Sequence, residues 1–250
     1  MISIKSAREL ELMRYAGRVA AGALQVVEAA IHPGVATLEL DRIAERFIRK
    51  ARCLPAFKGY YGFPATVCAS VNEEVVHGIP GLRRLCSGDI VSIDVGAVYR
   101  GYYGDAAATF PVGDVEQEAL RLVTVTREAL HAGIAQAVEG KRLGDISHAV
   151  QSHVEKHGFS VVRNYVGHGI GNQMHEEPQI PNFGRPGCGP FLAAGMVLAI
   201  EPMVNAGTWH VETLSDNWTV VTLDRKWSAH FEHTVAVGKH EPEMLTILSD

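Results

Sequence analysis

The sequence DIVSIDVGAVYRGYYGDA, residues 89–106, decides the fold class because it predicts a hairpin of two β-strands. The first strand is apolar except for Asp94, and the second strand carries Asp105 next to small apolar residues. If Tyr99-Arg100 forms the turn, Asp94 lies directly opposite Asp105 on one face of the hairpin. Two carboxylates in that position repel each other and destabilise the sheet. We therefore expect a cation between them.

A metal ion is the simplest such cation, because strand alternation brings no Lys or Arg onto the face that carries Asp94 and Asp105. Carboxylate oxygens are ligands that hard divalent cations prefer. The alternative explanation is that one of the two aspartates is protonated, or is exposed at the turn.

Three more ionisable residues interrupt apolar or glycine-rich runs: His168 in YVGHGIG, Glu201 in MVLAIE and Glu232 in HFEHTVAV. Singly, His168 is explained as a hydrogen-bonded core histidine and each glutamate as the partner of an arginine. Together with the two aspartates they make four carboxylates and one imidazole. That set suits Mn, Fe(II) or Co at a dinuclear centre better than a thiolate zinc site, and it offsets most of the charge of two divalent ions.

Two other histidines stand near prolines. His77 ends the run VCASVNEEVVH before a Gly-x-Pro turn, and His175 lies in MHEEP, seven residues after His168. Taken alone, a loop histidine beside a proline is more often a surface residue than a catalytic one.

The chain that precedes the hairpin predicts two helices. Ser6-Ala7-Arg8-Glu9 has the form of a capping box, and the helical spacing behind it continues to Ile31. Pro33-Gly34 ends this helix, and Thr37 is expected to cap a second helix that ends before Pro55.

The same order recurs downstream, with a long helical pattern after Asp114, a break at Gly140 and a shorter helix capped by Asp145. A duplicated α+β unit with a pseudo-two-fold axis explains this repeat, and it would create a cleft between the sheets of its two halves. We therefore expect one domain over residues 1–250, with halves of roughly 1–112 and 113–250.

Composition predicts a globular protein outside membranes. Hydrophobic residues make up 47% of the 250 residues and charged residues 20%, and the formal net charge of −5 argues against a nucleic-acid-binding role. The opening MISIKSARELELMR has no apolar signal-peptide core, and no charge-free stretch is long enough to span a bilayer. The four cysteines lack metal or disulfide spacing, so we expect reduced thiols: Cys53, Cys86 and Cys188 as small buried side chains, and Cys68 nearer the site.

Five runs, in this order, resemble type I methionine aminopeptidase in its short form, without an N-terminal extension: VCASVNEEVVHGIP, SIDVGAVYRGYYGDAAATF, GHGIGNQMHEEPQIPN, LAIEPMV and FEHTVAV. The resemblance covers nearly the whole chain. The carboxylate and histidine set is typical of the wider pita-bread, or creatinase-like, fold family, and the VNEEVVHGIP run narrows the match. It implies a single catalytic domain of two related αβ halves around a central metal cleft.

The resemblance also implies a role for each residue. Asp94 would chelate one of two divalent ions, with Mn, Fe(II) or Co as candidates and Zn possible. His168 and Glu201 would chelate the other ion, while Asp105 and Glu232 would bridge the pair. Glu201 would act as general base towards the bridging water. His175 would donate to the substrate carbonyl oxygen, His77 would contact the scissile nitrogen, and the free α-amine would limit cleavage to the first residue.

The methionine side chain would occupy an apolar pocket, for which soft and aromatic side chains are suitable. Ordinary core packing is the alternative explanation for these candidates, which are Tyr60, Phe63, Cys68, Met174 and Trp218. The chain departs from the usual family residues at Phe57, Phe63 and Met174, which are lining positions.

The implied function is removal of the N-terminal methionine from nascent proteins and peptides that have a small second residue. The implied partners are nascent-chain N-termini and, transiently, the ribosome, for a cytoplasmic monomer that binds neither membranes nor nucleic acid.

Three other functions compete with this one. An Xaa-Pro dipeptidase shares the ligand set, but it usually has a sizeable N-terminal domain. A metal-free amidinohydrolase of the same fold, and a non-catalytic binding protein that kept the fold, usually lack part of that set.

Overall fold

The computed structural model describes residues 2–248 of the chain. Within them lie four α-helices, which are α1 (Ala7–Glu28), α2 (Thr37–Lys50), α3 (Gln117–Ile134) and α4 (Leu143–Lys156), and a 3₁₀ turn at Tyr60–Gly62. The strands are β1 (Leu54–Pro55), β2 (Val67–Val71), β3 (Glu74–Val76), β4 (Ile90–Tyr99), β5 (Tyr102–Pro111), β6 (Ser160–Val161), β7 (Val166–Gly169), β8 (Glu176–Pro181), β9 (Val197–Ile200), β10 (Met203–Asn205), β11 (Val211–Thr213), β12 (Val220–Thr222), β13 (Ser228–His230), β14 (Glu232–Ala236) and β15 (Glu243–Met244).

One large antiparallel sheet organises the molecule. Its strand order is β1-β4-β5-β14-β9-β7-β8, with β2 also paired to β4 and β15 paired to β14. Two three-stranded sheets, β13-β10-β6 and β11-β12-β3, lie beside it. The large sheet therefore joins the hairpin of the first half of the chain to strands of the second half, at the pairing of β5 with β14.

The hairpin forms as the sequence predicts, but its register is shifted by two residues. Tyr99 pairs with Tyr102, so the turn is Arg100-Gly101, and both of these residues have positive φ, 50° and 82°. This is the backbone of the two-residue turn that matches the twist of antiparallel strands. The prediction that Asp94 faces Asp105 directly is wrong, because Asp94 pairs with Ala107 and Asp105 with Gly96. The shift is an even number of residues, so both carboxylates stay on one face.

Helix α1 begins at its predicted capping box. The backbone N–H of Glu9 donates to the Ser6 hydroxyl, and the backbone N–H of Ser6 donates to the Glu9 carboxylate. The helix lies close against β5, because a Cβ on Gly104 would overlap the backbone of Gly17. The helix ends at Glu28, three residues before the predicted Ile31.

The predicted caps of the two shorter helices are wrong. The N-cap of α2 is Ala36, and the Thr37 hydroxyl instead exchanges hydrogen bonds with the backbone of Gly81. In α4 the N-cap is Arg142, and Asp145 accepts from the Arg142 backbone N–H out of the third helical position. The helix therefore starts earlier than the acidic residue suggested.

Separate apolar cores lie under the two helix pairs. One packs α1 and α2 against β2 and β4, and another packs α3 and α4 against β6, β10 and β13. Two of the cysteines expected to be buried, Cys86 and Cys188, are exposed, whereas Cys53 and Cys68 are buried. Along residues 2–248 the helices are either too short or too polar to cross a membrane.

Candidate metal centre

Five neighbouring strands of the large sheet each supply one residue of the predicted ligand set. In sheet order these strands are β4, β5, β14, β9 and β7, and the residues are Asp94, Asp105, Glu232, Glu201, directly after β9, and His168. Residues from distant parts of the sequence therefore meet in the middle of one sheet.

The strand registers place these side chains on the same face. Asp94 pairs with Ala107, and Ala107 pairs with Glu232. The pairing of His233 with Ile200 puts Glu201 level with Glu232 on the next strand. Since side chains alternate along a strand, residues in one row share a face, and Asp105 stays on it two residues from Ala107.

His168 completes the set from β7. It pairs with Ala199, two residues before Glu201, and its Nε2 atom lies 3.6 Å from Glu201 Oε1. Its Nδ1 atom is 2.9 Å from the Gly169 carbonyl oxygen, which fixes the ring and leaves Nε2 facing the carboxylates. Ligand atoms of Asp105, His168 and Glu232 all lie within 4.8 Å of one another.

The two glycines that flank His168 are needed for this strand to pack closely. A Cβ on Gly167 would overlap the Ala199 carbonyl oxygen, and a Cβ on Gly169 would overlap that of Glu177. A residue with a side chain at either position would therefore push β7 away from its neighbours.

Three of the four carboxylates each have a buried oxygen without a hydrogen-bond partner. Buried oxygens Oδ1 of Asp94, Oδ1 of Asp105 and Oε1 of Glu232 have no hydrogen-bond partner. Burial, followed by the neighbouring carboxylates, raises the pKa of Asp94 and of Glu232 well above the usual range. Burial raises the pKa of Asp105 to about 7, and burial and then Asp105 raise the pKa of Glu201.

This chemistry fits a cation. Four carboxylates that share a buried site cannot all be ionised without one, and no Lys or Arg is among the described residues that line the cavity. Burial also lowers the pKa of His168 to about 4, so its imidazole is neutral and able to act as a metal ligand. The donor set of oxygens and one imidazole is the set that divalent ions use.

His230 belongs to this centre although the sequence did not single it out. It is 2% exposed, its Nε2 atom has no hydrogen-bond partner, and that atom lies 3.7 Å from Glu201 Oε2. Burial, followed by the proximity of His77, lowers the pKa of His230 to about 3. Its position two residues before Glu232 was the only signal in the sequence.

Thr234 was also missed, and it holds the backbone of Asp105. Its hydroxyl accepts from the Asp105 N–H at 2.9 Å and donates to the Asp105 carbonyl oxygen at 2.8 Å. Thr109 does the same for His230, at 2.9 and 2.8 Å. The two bridges lie on either side of the residue pairs that join β5 and β14.

All of the predicted site residues line one cavity of about 260 Å³. The five carboxylate and histidine residues form one wall, and His77 and His175 also face the cavity. The lining residues are Phe57, Tyr60, Tyr61, Phe63, Cys68, His77, Asp94, Asp105, His168, Met174, His175, Glu201, Trp218 and Glu232. Of these, the sequence gave no indication of Tyr61.

An apolar cluster lines the cavity next to the carboxylates, and its member Cys68 pairs with Asp94 on the neighbouring strand. It contains all five predicted pocket residues together with Phe57, and Phe63 packs edge-on against Trp218 at 5.1 Å between ring centroids. The pKa of the Cys68 thiol is raised, first by burial and then by Asp94, so this cysteine is a neutral apolar group. The cavity lining thus combines charged residues with soft apolar ones.

His77 and His175 also line this cavity. His77 has a positive φ of 60°, and burial lowers its pKa to about 4. The His175 ring lies 4.3 Å from the His168 ring, and its Nδ1 atom is 2.8 Å from the Tyr60 hydroxyl.

Comparison with known proteins first identifies the protein family to which the chain belongs. Residues 11–239 match the model of metallopeptidase family M24, and the chain belongs to that family. Methionine aminopeptidase of Clostridium acetobutylicum is 55% identical over 248 residues, which are 99% of each chain. Methionine aminopeptidase 1 of Bacillus subtilis is 56% identical over 98% of this chain and 99% of its own.

Solved structures of other proteins share the fold of this chain. The crystal structure of methionine aminopeptidase from Thermotoga maritima covers 99% of this chain and 100% of its own, with a TM-score of 0.98 and 49% identity. The prolidase from Pyrococcus furiosus matches with a TM-score of 0.79 and 22% identity, a likeness of fold alone. The expected pita-bread fold and the methionine aminopeptidase resemblance are thereby confirmed.

Proposed function

We propose that this chain is a methionyl aminopeptidase, which hydrolyses the first peptide bond of peptides and nascent proteins that begin with methionine. The observation that carries the proposal is one cavity that is lined both by a carboxylate-rich centre and by a cluster of soft apolar side chains. Relatives named methionine aminopeptidase over essentially the full chain support it.

Two divalent ions would be held by the ligand set, with Mn, Fe(II) or Co as the candidates and Zn possible. Asp94 would hold one ion, and His168 with Glu201 the other. Asp105 and Glu232 would contact both, for which their central strands suit them. When bound, such a pair lowers the pKa of a shared water so that hydroxide is available near neutral pH.

Three residues around the centre would accept the proton of the attacking water, stabilise the charge on the carbonyl oxygen and contact the scissile nitrogen. Glu201 would accept a proton from the attacking water as general base. His175 would donate a hydrogen bond to the carbonyl oxygen as negative charge develops there. His77, on the rim beside Trp218 at 6.4 Å between ring centroids, would contact the nitrogen of the scissile bond.

The apolar wall would select methionine. A thioether is polarisable and suits aromatic and sulfur neighbours, which Phe63, Cys68, Met174 and Trp218 supply. We also propose a preference for a small second residue. Action on nascent chains in the cytoplasm, with transient ribosome contact and as a monomer, completes the proposal.

Substitution of the general base tests the mechanism. Glu201→Gln should keep the fold and lower turnover of a Met-Gly peptide by on the order of 10²-fold or more, because the proton acceptor is lost. Glu212→Gln, which changes an exposed carboxylate paired with Arg225, is the matched control and should leave turnover unchanged. Near-normal turnover by Glu201→Gln would contradict its role.

Substrate comparison separates this activity from that of an Xaa-Pro dipeptidase. The metal-loaded enzyme should release methionine from Met-Gly peptides and leave Ala-Pro intact. The reverse preference would assign the chain to the dipeptidase activity instead.

A further inference from the structure

The Tyr60 hydroxyl makes a contact that the methionine pocket does not need. It lies 2.8 Å from His175 Nδ1, across the cavity mouth, and joins residues 115 positions apart. The two rings also pack against each other, with centroids 5.4 Å apart. A phenylalanine would serve equally well as an apolar wall, so the hydroxyl is the informative group.

The loop that carries Tyr60 is built to hold it in place. The backbone N–H of Tyr60 donates to Phe57, and the N–H of Phe63 donates to the Tyr60 carbonyl oxygen. Gly59 and Gly62, at φ of 90° and 89°, allow the tight path between these bonds. The phenol is thus presented from a closed loop of the first half of the chain.

His175 is anchored on its other side. The next residue, Glu176, forms an ion pair of 2.6 Å with Lys5, and the two side chains are 12% and 5% exposed. Glu176 also accepts from the backbone N–H of Gln173. These contacts fix the backbone on both sides of His175 but leave its ring orientation and tautomer to the groups that touch the ring.

A neutral imidazole has one nitrogen that donates and one that accepts, and the partner of one nitrogen decides the state of the other. Tyr60 occupies Nδ1, which leaves Nε2 as the atom that can serve substrate. A carbonyl oxygen can be stabilised only by a donor, so Nε2 must carry the proton. Nδ1 is then an acceptor, and the phenol of Tyr60 must donate to it.

We propose that Tyr60 is a positioning residue, whose hydroxyl donates to His175 Nδ1 and so holds the imidazole as the Nε2–H tautomer that faces the scissile carbonyl oxygen. This inference rests on the proposed function for the role of His175. Tyr60 would then have a second role besides lining the apolar pocket. Its hydroxyl would affect the rate of the reaction and not the recognition of methionine.

Kinetics of Tyr60→Phe give the first test. This change keeps the ring and removes the hydroxyl, and loss of such a supporting hydrogen bond typically costs about 10- to 100-fold in activity. We expect that loss in kcat for a Met-Gly peptide, with KM changed by less than about threefold, since the pocket wall is retained. Tyr15→Phe is the matched control, because it removes a hydroxyl that donates to the Ala51 carbonyl oxygen on α2's C-terminal side, and it should leave both constants unchanged.

The tautomer itself gives a second test that is independent of turnover. Nitrogen NMR of the Zn²⁺-loaded protein with ¹⁵N-labelled histidine, assigned with His175→Gln, should show His175 in the Nε2–H form. Tyr60→Phe should show a mixture of tautomers. A wild-type His175 protonated at Nδ1, an unchanged tautomer in Tyr60→Phe, or a variant that raises KM alone would overturn the proposal.

The two levels of inference fail separately. If Met-Gly is cleaved normally by wild type and by Tyr60→Phe, the proposed function stands and the role of the hydroxyl is refuted. If wild type does not release methionine, the proposed function fails, and the positioning role of Tyr60 in that reaction falls with it even where the NMR spectrum shows the expected tautomer.

Discussion

Buried carboxylates that lack a cation destabilise the protein that holds them, and Asp105 offers a direct measurement of that cost. Burial raises the pKa of Asp105 from 3.8 to about 7, so between these values the folded metal-free protein keeps a proton that the unfolded chain has released. The stability of the metal-free protein therefore falls as pH rises through this window. Asp105→Asn removes the ionisable group, and it should stabilise the chelated protein near pH 8 by on the order of 1–4 kcal/mol.

Thermal unfolding in a chelator at several pH values between 5 and 8 checks this prediction. The stabilisation by Asp105→Asn should be largest at the top of that range and should shrink as pH falls, because the wild-type carboxyl then becomes neutral too. Glu11→Gln changes an exposed carboxylate on α1 and should show no such trend. A stabilisation that is the same at every pH would contradict the assigned cause.

At the residue scale the charged residues that the sequence singled out come together in the structure, and their signal has a physical reason. An acidic residue within an apolar strand, such as Asp94 or Glu232, stands out because burial of an unpaired charge is costly. His230 carries no comparable signal, since a neutral histidine can be buried at modest cost. The contact of Tyr60 with His175 depends on a loop and a strand end from opposite halves of the chain, and no local pattern encodes it.

At the scale of elements, the junction of β5 with β14 determines where Asp105 lies. Two residue pairs join these strands, and a threonine hydroxyl bridge stands on either side of them. Thr109 and Thr234 are 3% and 0% exposed, and replacement by valine keeps the shape but leaves buried backbone groups unpaired. Each substitution should therefore destabilise the protein by about 1–3 kcal/mol.

The two threonine variants should differ in metal binding, which makes each the control for the other. Thr234→Val frees the backbone of Asp105 and should weaken binding of Mn²⁺ by about 10-fold or more, since supporting hydrogen bonds orient metal ligands. Thr109→Val acts on His230, which lies at the centre but is not one of the five predicted ligands, and it should leave that affinity within about threefold of wild type. Calorimetric titration of the chelated proteins measures both constants, and equal weakening in the two variants would contradict this account.

The presence of the helices and of the hairpin was predicted more reliably than the residues at which they begin and end. The helices and the hairpin follow from periodicity and capping residues, and the capping box at Ser6 is confirmed. The hairpin register was wrong because the prediction ignored that Arg100-Gly101 supplies the two positive φ values of a tight turn. The N-cap of α4 was wrongly assigned to Asp145 because an acidic residue is as favourable within the first helical turn as at the position before it.

At the scale of the whole molecule, the site is assembled from both parts of the chain. Asp94 and Asp105 come from the first hairpin, whereas His168, Glu201 and Glu232 come from strands of the second part. That the chain is one domain of two halves, 1–112 and 113–250, stays a prediction. A ligand that contacts both parts links their unfolding.

Metal binding should therefore stabilise the entire protein and not one region of it. A ligand that binds only the folded state contributes about 2.7 kcal/mol at a free concentration 100 times its Kd, and relief of carboxylate repulsion is part of that affinity. We expect the chelated protein to melt in one transition, at a temperature that Mn²⁺ or Co²⁺ raises by several degrees, with two ions bound per chain in titration calorimetry. Asp94→Asn, from the first part, and Glu232→Gln, from the second, should each reduce this rise, because each removes one ligand from a shared centre. A rise that one of these substitutions leaves intact would mean that the ions are held by one part of the chain alone, and the cavity would then need a different ligand assignment.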